Sequence, residues 1–236
     1  VREALKLRRH IHLEPRVQGL QPAAASRRFP SYLAPALTQL PELPLTLSRQ
    51  EIRKMIRQRR RALTPEQQQE MGQQAATRMM TYPPVVMAHT VAVFLSFDGE
   101  LDTQPLIEQL WRAGKRVYLP VLHPFSAGNL LFLNYHPQSE LVMNRLKIHE
   151  PKLDVRDVLP LSRLDVLITP LVAFDEYGQR LGMGGGFYDR TLQNWQHYKT
   201  QPVGYAHDCK LVEKLPVEEW DIPLPAVVTP SKVWEW

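Results

Sequence analysis

A glycine-rich segment limits the possible folds of this chain more than any other feature, because four glycines fall within residues 182–186 of the run RLGMGGGFYDR at 180–190. Glycine adopts backbone conformations that other residues avoid, so such a segment can turn several N–H groups toward one point. The apolar run at 166–174 is typical of a buried strand, and residues 186–196 are typical of a helix. A loop between a strand and a helix is where open α/β sheets bind ligands.

The composition of this glycine loop leaves two interpretations open. In the first, backbone N–H groups and the start of the helix form a phosphate cradle, with Arg180 and Arg190 as bidentate cations and Asp189 as a magnesium ligand. In the second, the loop is a tight turn whose glycines only satisfy backbone geometry. Two better-known phosphate loops are excluded: Phe187 stands where a dinucleotide fingerprint needs glycine, and the Gly-Lys-Ser/Thr ending of a P-loop is absent.

Helices and strands alternate through most of the chain. Capping boxes at 48–51 and 64–67 predict the starts of two helices, the second ending near residue 80. Helix start and stop signals predict two further helices, at 103–113 and 186–196. Short apolar runs predict strands at 90–96, 116–122, 130–135, 166–174, 202–205 and 226–229. This order predicts an α/β fold, in which a mostly parallel open sheet has helices on both faces, in three layers.

The first 47 residues differ in composition from the rest. They contain six prolines, one glycine and no aspartate, and their leucines follow no sustained period. We therefore expect a disordered or non-native leader at 1–47, followed by a single α/β catalytic domain at 48–236.

Charge is also uneven along the chain, whose net charge is +5. Residues 1–54 hold ten Lys/Arg and four Asp/Glu, which leaves 19 and 20 for the remaining 182 residues. This near-neutral body gives no electrostatic reason to expect a nucleic-acid partner. Cys209 is the single cysteine, and neither a membrane-length apolar run nor a signal-peptide core is present. We therefore expect a cytoplasmic protein with no membrane partner.

Four stretches carry a further signal. They are Ser48 to Arg53 leading into RRRALTPE at 59–66, FLSFDGE at 94–100, the glycine loop ending in Tyr188 and Asp189, and Asp221. Together, over residues 48–236, they resemble the 5-formyltetrahydrofolate cyclo-ligase family. The resemblance implies an enzyme that uses ATP and Mg²⁺ to convert 5-formyltetrahydrofolate into 5,10-methenyltetrahydrofolate, releasing ADP and phosphate. A formamide is a poor electrophile until its oxygen is phosphorylated, and that step needs backbone donors, arginines and Mg²⁺.

The same resemblance implies roles for individual residues. The implied ATP contacts are Arg49, Arg53, Arg180, Leu181, Gly182, Met183, Gly184, Gly185, Gly186, Phe187 and Tyr188. The implied folate contacts are Leu95, Glu100, Met183, Gly184, Gly185, Gly186 and Phe187. Asp189 and Asp221 are the implied magnesium ligands, and Arg180 and Asp189 the implied catalytic residues.

The chain departs from the family pattern at two of these positions. Arg49 stands where members often have lysine, and a guanidinium differs from an ammonium in its hydrogen-bonding geometry. Gly185 stands where many members carry lysine, so ATP binding is expected to depend more on Arg180 and Arg53. The loss of one charged hydrogen bond amounts to roughly 1.5–3 kcal/mol.

Simpler interpretations of the same residues remain open at this point. Asp189 can be a helix first-turn carboxylate, Asp221 a solvated turn residue and Glu100 an exposed loop carboxylate. Arg57 and the arginines at 59–61 are most simply a solvated helix face. The alternative is that they meet the acidic glutamate tail of folate. Alternative functions are a phosphosugar-binding isomerase or sensor and an RNA-binding protein that uses the basic front helix. For the main interpretation we expect a monomer whose partner is a reduced folate.

Overall fold

The structure is a computed structural model that describes residues 47–236. The leader expected at 1–47 therefore lies outside the described residues, except for Leu47, which packs against a hydrophobic cluster of the body. Within 47–236, no helix is both long enough and apolar enough to cross a membrane.

Five α-helices and thirteen strands occur in the described chain. The helices are α1 (Arg49–Arg61), α2 (Pro65–Thr81), α3 (Pro83–Met87), α4 (Gln104–Arg112) and α5 (Phe187–Leu192). The strands are β1 (Thr90–Ala92), β2 (Arg116–Leu122), β3 (Leu130–Tyr135), β4 (Leu141–Met143), β5 (His149–Pro151), β6 (Val158–Leu159), β7 (Val166–Thr169), β8 (Ala173–Asp175), β9 (Arg180–Leu181), β10 (Gln201–Tyr205), β11 (Leu211–Val212), β12 (Ala226–Val228) and β13 (Val233–Glu235).

An eight-stranded sheet forms the centre, in the order β13-β12-β10-β7-β1-β2-β3-β6. Its five inner strands, from β12 to β2, are parallel, whereas β13, β3 and β6 pair antiparallel at the two sides. In register, Val91 of β1 pairs with Val117 of β2 and with Val166 of β7. The predicted α/β class with a mostly parallel sheet is confirmed.

Side chains alternate across this sheet, as strand geometry requires. Val91 faces a cluster that contains Ala76 of α2 and Leu106 of α4. Ala92, the next residue, faces a second cluster that contains Leu192 of the short helix α5. Helices therefore cover both faces, but the second face is covered by one short helix together with irregular segments.

The two predicted capping boxes are present, and each starts a helix at the expected residue. Ser48 Oγ accepts a hydrogen bond from Glu51 N at 3.2 Å, and the Glu51 carboxylate accepts one from Ser48 N at 2.7 Å. Thr64 and Gln67 form the same reciprocal pair at 3.2 and 2.9 Å. Each box satisfies two N–H groups that a helix start leaves without partners.

Several predicted boundaries were wrong. The strand predicted at 90–96 ends at Ala92, and the helix predicted at 186–196 ends at Leu192, with a separate 3-10 turn after it. The run at 166–174 divides into β7 and β8, because Pro170 has no N–H to continue a ladder. Strand β8 joins a second sheet of order β11-β8-β9. The glycine loop consequently follows the β8–β9 hairpin and not a strand of the central sheet.

Candidate active site

The β8–β9 hairpin delivers the chain to the glycine loop. The buried Asp175 carboxylate holds the hairpin turn by accepting hydrogen bonds from Tyr177 N at 2.9 Å and Gln179 N at 3.0 Å. In the loop itself, Gly184 has a φ of 107° and Gly186 a φ of 68°, in the region that favours glycine. Helix α5 has only six residues, so its dipole adds less positive charge than the longer predicted helix would.

The two arginines of the loop have different partners. Arg180, whose side chain is 2% exposed, donates to Asp189 Oδ1 at 2.6 Å, and its Nε is buried without an acceptor in the described chain. Arg190 donates to backbone oxygens of Gly128 at 2.7 Å and Gly185 at 2.5 Å. Arg180 therefore remains a candidate for ligand binding, whereas Arg190 holds the loop in shape.

Helix α1 places two more arginines beside this loop. Arg49 forms a bidentate pair with Asp221, with distances of 2.5 and 3.0 Å between nitrogen and oxygen. Arg53 Nε donates to Gly182 O at 2.9 Å, and the structure gives Arg53 no carboxylate partner among residues 47–236. Burial, together with the neighbouring Arg49 charge, lowers the pKa of Arg53. The site thus has an excess of positive charge, which suits an anion.

The two aspartates lie next to each other. Ile222 N donates to Asp189 Oδ1 at 3.2 Å, which brings the Asp221 segment against Asp189. Burial alone would raise the pKa of Asp221, but hydrogen bonds from Arg49 and Glu218 N outweigh burial and lower it. Asp221 is therefore ionised at neutral pH, and its interpretation as a solvated turn residue is wrong because it is 9% exposed and paired.

A cavity of about 470 Å³ opens beside the loop. Its volume lies within the range of small-molecule sites. Ten of the predicted site residues line it, namely Leu95, Glu100, Arg180, Gly182, Met183, Gly185, Gly186, Phe187, Tyr188 and Asp189. The predicted site residues outside the lining are Arg49, Arg53, Leu181, Gly184 and Asp221. Predicted site residues as far apart in the sequence as Leu95 and Asp189 therefore meet at one cavity.

The Leu181 side chain packs in the hydrophobic core. It is 1% exposed and lies in a cluster with Ile52 and Ile56 of α1, so the predicted contact of Leu181 with ATP is restricted to its backbone. This packing also docks α1 against the β8–β9 hairpin, which explains how Arg49 and Arg53 reach the glycine loop.

Glu100 is the buried acid of the cavity, so its interpretation as an exposed loop carboxylate is wrong. It is 8% exposed, and its Oε2 accepts a hydrogen bond from Phe97 N at 3.2 Å. Burial raises the pKa of Glu100, although the charge of Lys210 and the Phe97 hydrogen bond oppose this effect. A buried carboxylate in a ligand cavity is suited to accept N–H groups of a ligand.

Comparison with known proteins agrees with this geometry. Residues 46–230 match the model of the 5-formyltetrahydrofolate cyclo-ligase family. The chain belongs to this family. It is 52% identical to a 5-formyltetrahydrofolate cyclo-ligase of Haemophilus influenzae over 179 residues, which cover 76% of this chain and 96% of that protein.

Solved structures show the same fold. A 5,10-methenyltetrahydrofolate synthetase of Aquifex aeolicus superposes with a TM-score of 0.69 and 28% identity, covering 80% of this chain and 93% of that one. A synthetase of the same name from Mycoplasma pneumoniae gives a TM-score of 0.62 at 20% identity, covering 78% and 99% of the two chains.

This cyclo-ligase chain has glycine at position 185, and the structure shows what that residue allows. A Cβ atom added to Gly185 would lie 2.8 Å from the Phe187 ring, so a larger residue requires the ring to move. Arg53 approaches the neighbouring Gly184, with 3.8 Å between its Nη2 and an added Cβ. Arg53 of α1 thus places a positive charge beside the loop, next to position 185.

The sequence analysis missed part of the cavity wall of this cyclo-ligase. The β4–β5 hairpin contributes Asn144, Leu146, Ile148, His149 and Glu150 to the lining. Its strands have three residues each, too short for a period to be recognised, and the turn between them was detectable only from its Asn and Lys residues.

One arginine at the end of α1 was misinterpreted. Arg60 is 3% exposed and donates to Asp98 Oδ2 at 2.6 Å, so it holds the loop that carries Glu100 and is not part of a solvated face. Arg57 and Arg61 have exposed side chains, as that interpretation expects, although Arg61 also donates to Asp98 Oδ1 at 2.8 Å.

Proposed function

We propose that this chain converts 5-formyltetrahydrofolate into 5,10-methenyltetrahydrofolate, with ATP as the phosphoryl donor and Mg²⁺ as the metal. The observation that carries the proposal is that Glu100 and the glycine loop with its flanking arginine, Arg180, line the same cavity. A cavity with an acid at one wall and an anion cradle at another suits a pterin and a triphosphate held side by side. The family to which the chain belongs agrees with this assignment.

The reaction needs two bond-forming steps. The formyl oxygen of the folate attacks the γ-phosphorus of ATP, and ADP leaves with the electron pair of the broken P–O bond. N10 then attacks the activated carbon and loses its proton, after which phosphate leaves and the methenyl bridge remains. Both steps depend on alignment and on charge stabilisation rather than on a protein nucleophile.

The residues around the glycine loop supply that stabilisation. Arg53 and Arg180 neutralise the phosphates, and the loop N–H groups donate to them. The ion pairs of Arg49 with Asp221 and of Arg180 with Asp189 hold these side chains in place before a ligand arrives. Such preorganisation reduces the cost of ordering the site during the reaction.

Asp189 and Asp221 would hold the magnesium ion. Within residues 47–236, no group of three or more His, Cys, Asp or Glu side chains is placed to hold a metal ion. Two carboxylates from segments in contact nevertheless fit Mg²⁺, which commonly takes one or two protein carboxylates together with phosphate oxygens and water. The bound ion supplies positive charge where the transferred phosphoryl group becomes more negative.

Glu100 and Leu95 form the folate side of the proposed site. The Glu100 carboxylate accepts N–H groups of the pterin ring, and Leu95 contacts a face of the ring. We expect the chain to act as a cytoplasmic monomer, and its lone cysteine fits a reducing compartment.

An absorbance assay tests the assignment directly. Formation of methenyltetrahydrofolate from 5-formyltetrahydrofolate is followed with ATP and Mg²⁺ together, with each omitted in turn, and with neither. We expect product only when both are present. Turnover without ATP, or none with the complete mixture, contradicts the proposal.

A binding measurement separates the proposed function from the two alternatives, a phosphosugar-binding protein and an RNA-binding protein. A ligand that binds only the native state raises the melting temperature. We expect MgATP and 5-formyltetrahydrofolate to stabilise the protein, and sugar phosphates or RNA to have no effect.

A further inference from the structure

Glu100 has an unusual electrostatic surrounding for a ligand-binding carboxylate. It lines the cavity, yet it is 8% exposed, and Phe97 N is its hydrogen-bond donor in the described chain. A carboxylate with so little water is costly to ionise unless positive charge is close. Two buried cations, from separate parts of the chain, act on it electrostatically.

The first cation is Lys210, in the 3-10 turn Asp208–Lys210 that follows β10. Lys210 is 1% exposed, and its Nζ donates to Leu171 O at 2.7 Å. No carboxylate oxygen in residues 47–236 lies within 4.0 Å of this ammonium. Leu171 and Glu100 both line the cavity, so Lys210 lies directly behind the cavity wall.

The second cation is Arg60, which reaches Glu100 through the loop that carries it. Its guanidinium donates to Asp98 at 2.6 Å, and its aliphatic part packs on Gly99, with 3.5 Å between Arg60 Cγ and an added Gly99 Cβ. Asp98 and Gly99 both have positive φ, at 50° and 78°. Two successive residues in this region form the tight turn that an Asp-Gly sequence favours, and Arg60 contacts both of them.

The charged groups that act on Glu100 are few. The Lys210 and Arg60 charges favour its ionised form, and the Asp98 carboxylate opposes them. Nearby His207 stays neutral, because burial lowers its pKa to about 3. Tyr188, whose pKa is raised by burial, is a neutral phenol at physiological pH. The two buried cations therefore favour the ionised form of Glu100. Burial lowers the pKa of Lys210 itself, and the Glu100 charge opposes that shift, so each group favours the charged form of the other.

We propose that Lys210 and Arg60 are positioning residues that keep the Glu100 side chain ionised and fixed in orientation, ready to accept the N–H groups of the folate ring. This proposal rests on the proposed function. Lys210 supplies charge from behind the carboxylate, and Arg60 shapes the backbone turn in front of it. Neither side chain touches the ligand, so both act on folate binding alone and leave the phosphate side of the site unchanged.

The substitution Lys210→Met tests the proposal, because methionine keeps most of the side-chain volume and removes the charge. Lys214→Met, at an exposed lysine four residues later, is the matched control. The KM values for 5-formyltetrahydrofolate and for ATP are measured separately across acidic and neutral pH. We expect the folate KM to rise at least about tenfold, which corresponds to a shift of one pKa unit in Glu100. The ATP KM and the Lys214→Met protein should stay within about twofold of wild type.

A pH profile distinguishes positioning from general damage. Loss of the Lys210 charge makes Glu100 harder to ionise, so the acid limb of kcat/KM for folate should move to higher pH. In a Glu100→Gln background the Lys210→Met change should have no further effect on the folate KM, because no carboxylate is left to be ionised. Equal rises in both KM values, an unmoved acid limb, or full additivity with Glu100→Gln would each overturn the proposal.

Arg60→Met gives a second test if the Lys210 variant does not fold. Arg61→Met is its control, since Arg61 binds the same Asp98 carboxylate with a side chain that is 61% exposed. We expect the folate KM to rise for Arg60→Met and not for Arg61→Met. Wild-type protein without cyclo-ligase activity contradicts the proposed function, whereas active wild type with equal effects of the two arginine variants contradicts only the positioning roles.

Discussion

The two ends of helix α1 carry arginines that work in opposite ways. At its start, Arg49 is 20% exposed in its side chain and Arg53 has no carboxylate partner in the described chain, so both can exchange partners when an anion arrives. At its end, Arg60 is buried against Asp98 and has no such freedom. The arginines at the start of α1 can therefore meet a ligand, whereas Arg60 only shapes the loop that carries Glu100. One helix thus connects the proposed phosphate side with the proposed folate side of the site.

The largest effect should come from Asp189→Asn on the phosphate side. We expect turnover to fall about 100-fold or more, because a group that stabilises developing charge is lost. Stability should fall by about 3 kcal/mol, because the buried Arg180 loses its carboxylate. Turnover is measured at saturating ligands over a magnesium titration, which should partly restore it, and stability by thermal unfolding.

Asp154→Asn is the control for that change. Asp154 pairs with Arg156 at 2.6 Å, but the Arg156 side chain is 85% exposed, so we expect no measurable loss of stability and unaltered turnover. If the Asp189→Asn protein has wild-type turnover and magnesium dependence, Asp189 is only a carboxylate in the first turn of a helix and not a magnesium ligand.

Arg53→Met should give the next largest effect. Loss of a charged hydrogen bond of about 1.5–3 kcal/mol raises the ATP KM by roughly 10- to 150-fold. The folate KM should not change, because Arg53 lies at the other end of α1 from the Glu100 loop. Steady-state kinetics measure both constants, with exposed Lys54→Met as the control. An unchanged ATP KM would remove Arg53 from the phosphate site.

Acid pH should weaken the folate side before the phosphate side. Because burial raises the pKa of Glu100, its carboxylate protonates at a higher pH than an ordinary glutamate as the pH falls. We therefore expect the folate KM to rise more steeply on acidification than the ATP KM, since the arginines near the glycine loop do not titrate in this range. Glu100→Gln should abolish the pH dependence of the folate KM. A parallel rise of both constants in wild type would contradict the contrast between the two sides.

Helix capping should give the smallest effect. Ser48→Ala removes the cap of α1 and should lower stability by about 1 kcal/mol, with a modest rise in the ATP KM because Arg49 and Arg53 lie in the first turns. Thr64→Ala removes an equivalent cap from α2 and should cost the same stability without changing the ATP KM. Denaturant unfolding and ATP kinetics compare the pair. Equal ATP constants would show that the start of α1 is held by packing alone.

Much of the secondary structure was predictable, because its causes are local. The capping boxes at Ser48 and Thr64 depend on contacts three residues apart, and both helices start where expected. Strands β2 and β3 also match their predicted bounds. By contrast, the division of the run at 166–174 between two sheets depends on which strands pair, and the prediction of one continuous strand there was wrong.

The site was predictable in composition but not in arrangement. The resemblance named the glycine loop, Leu95 and Glu100, and these residues do meet at one cavity. The β4–β5 hairpin, which closes part of that cavity, was missed. Magnesium at Asp189 and Asp221 stays a prediction, with both carboxylates already paired to arginine.

The sequence by itself determined where the two capped helices begin and where the backbone needs glycine, because each follows from neighbours in the chain. Only the tertiary structure decided which charges are buried. Arg60 and Arg61 are adjacent and chemically identical, yet packing buries the first and leaves the second exposed. Arg49 finds Asp221 from 172 positions away. Burial and long-range pairing are properties of the packed chain, so no local pattern carries them.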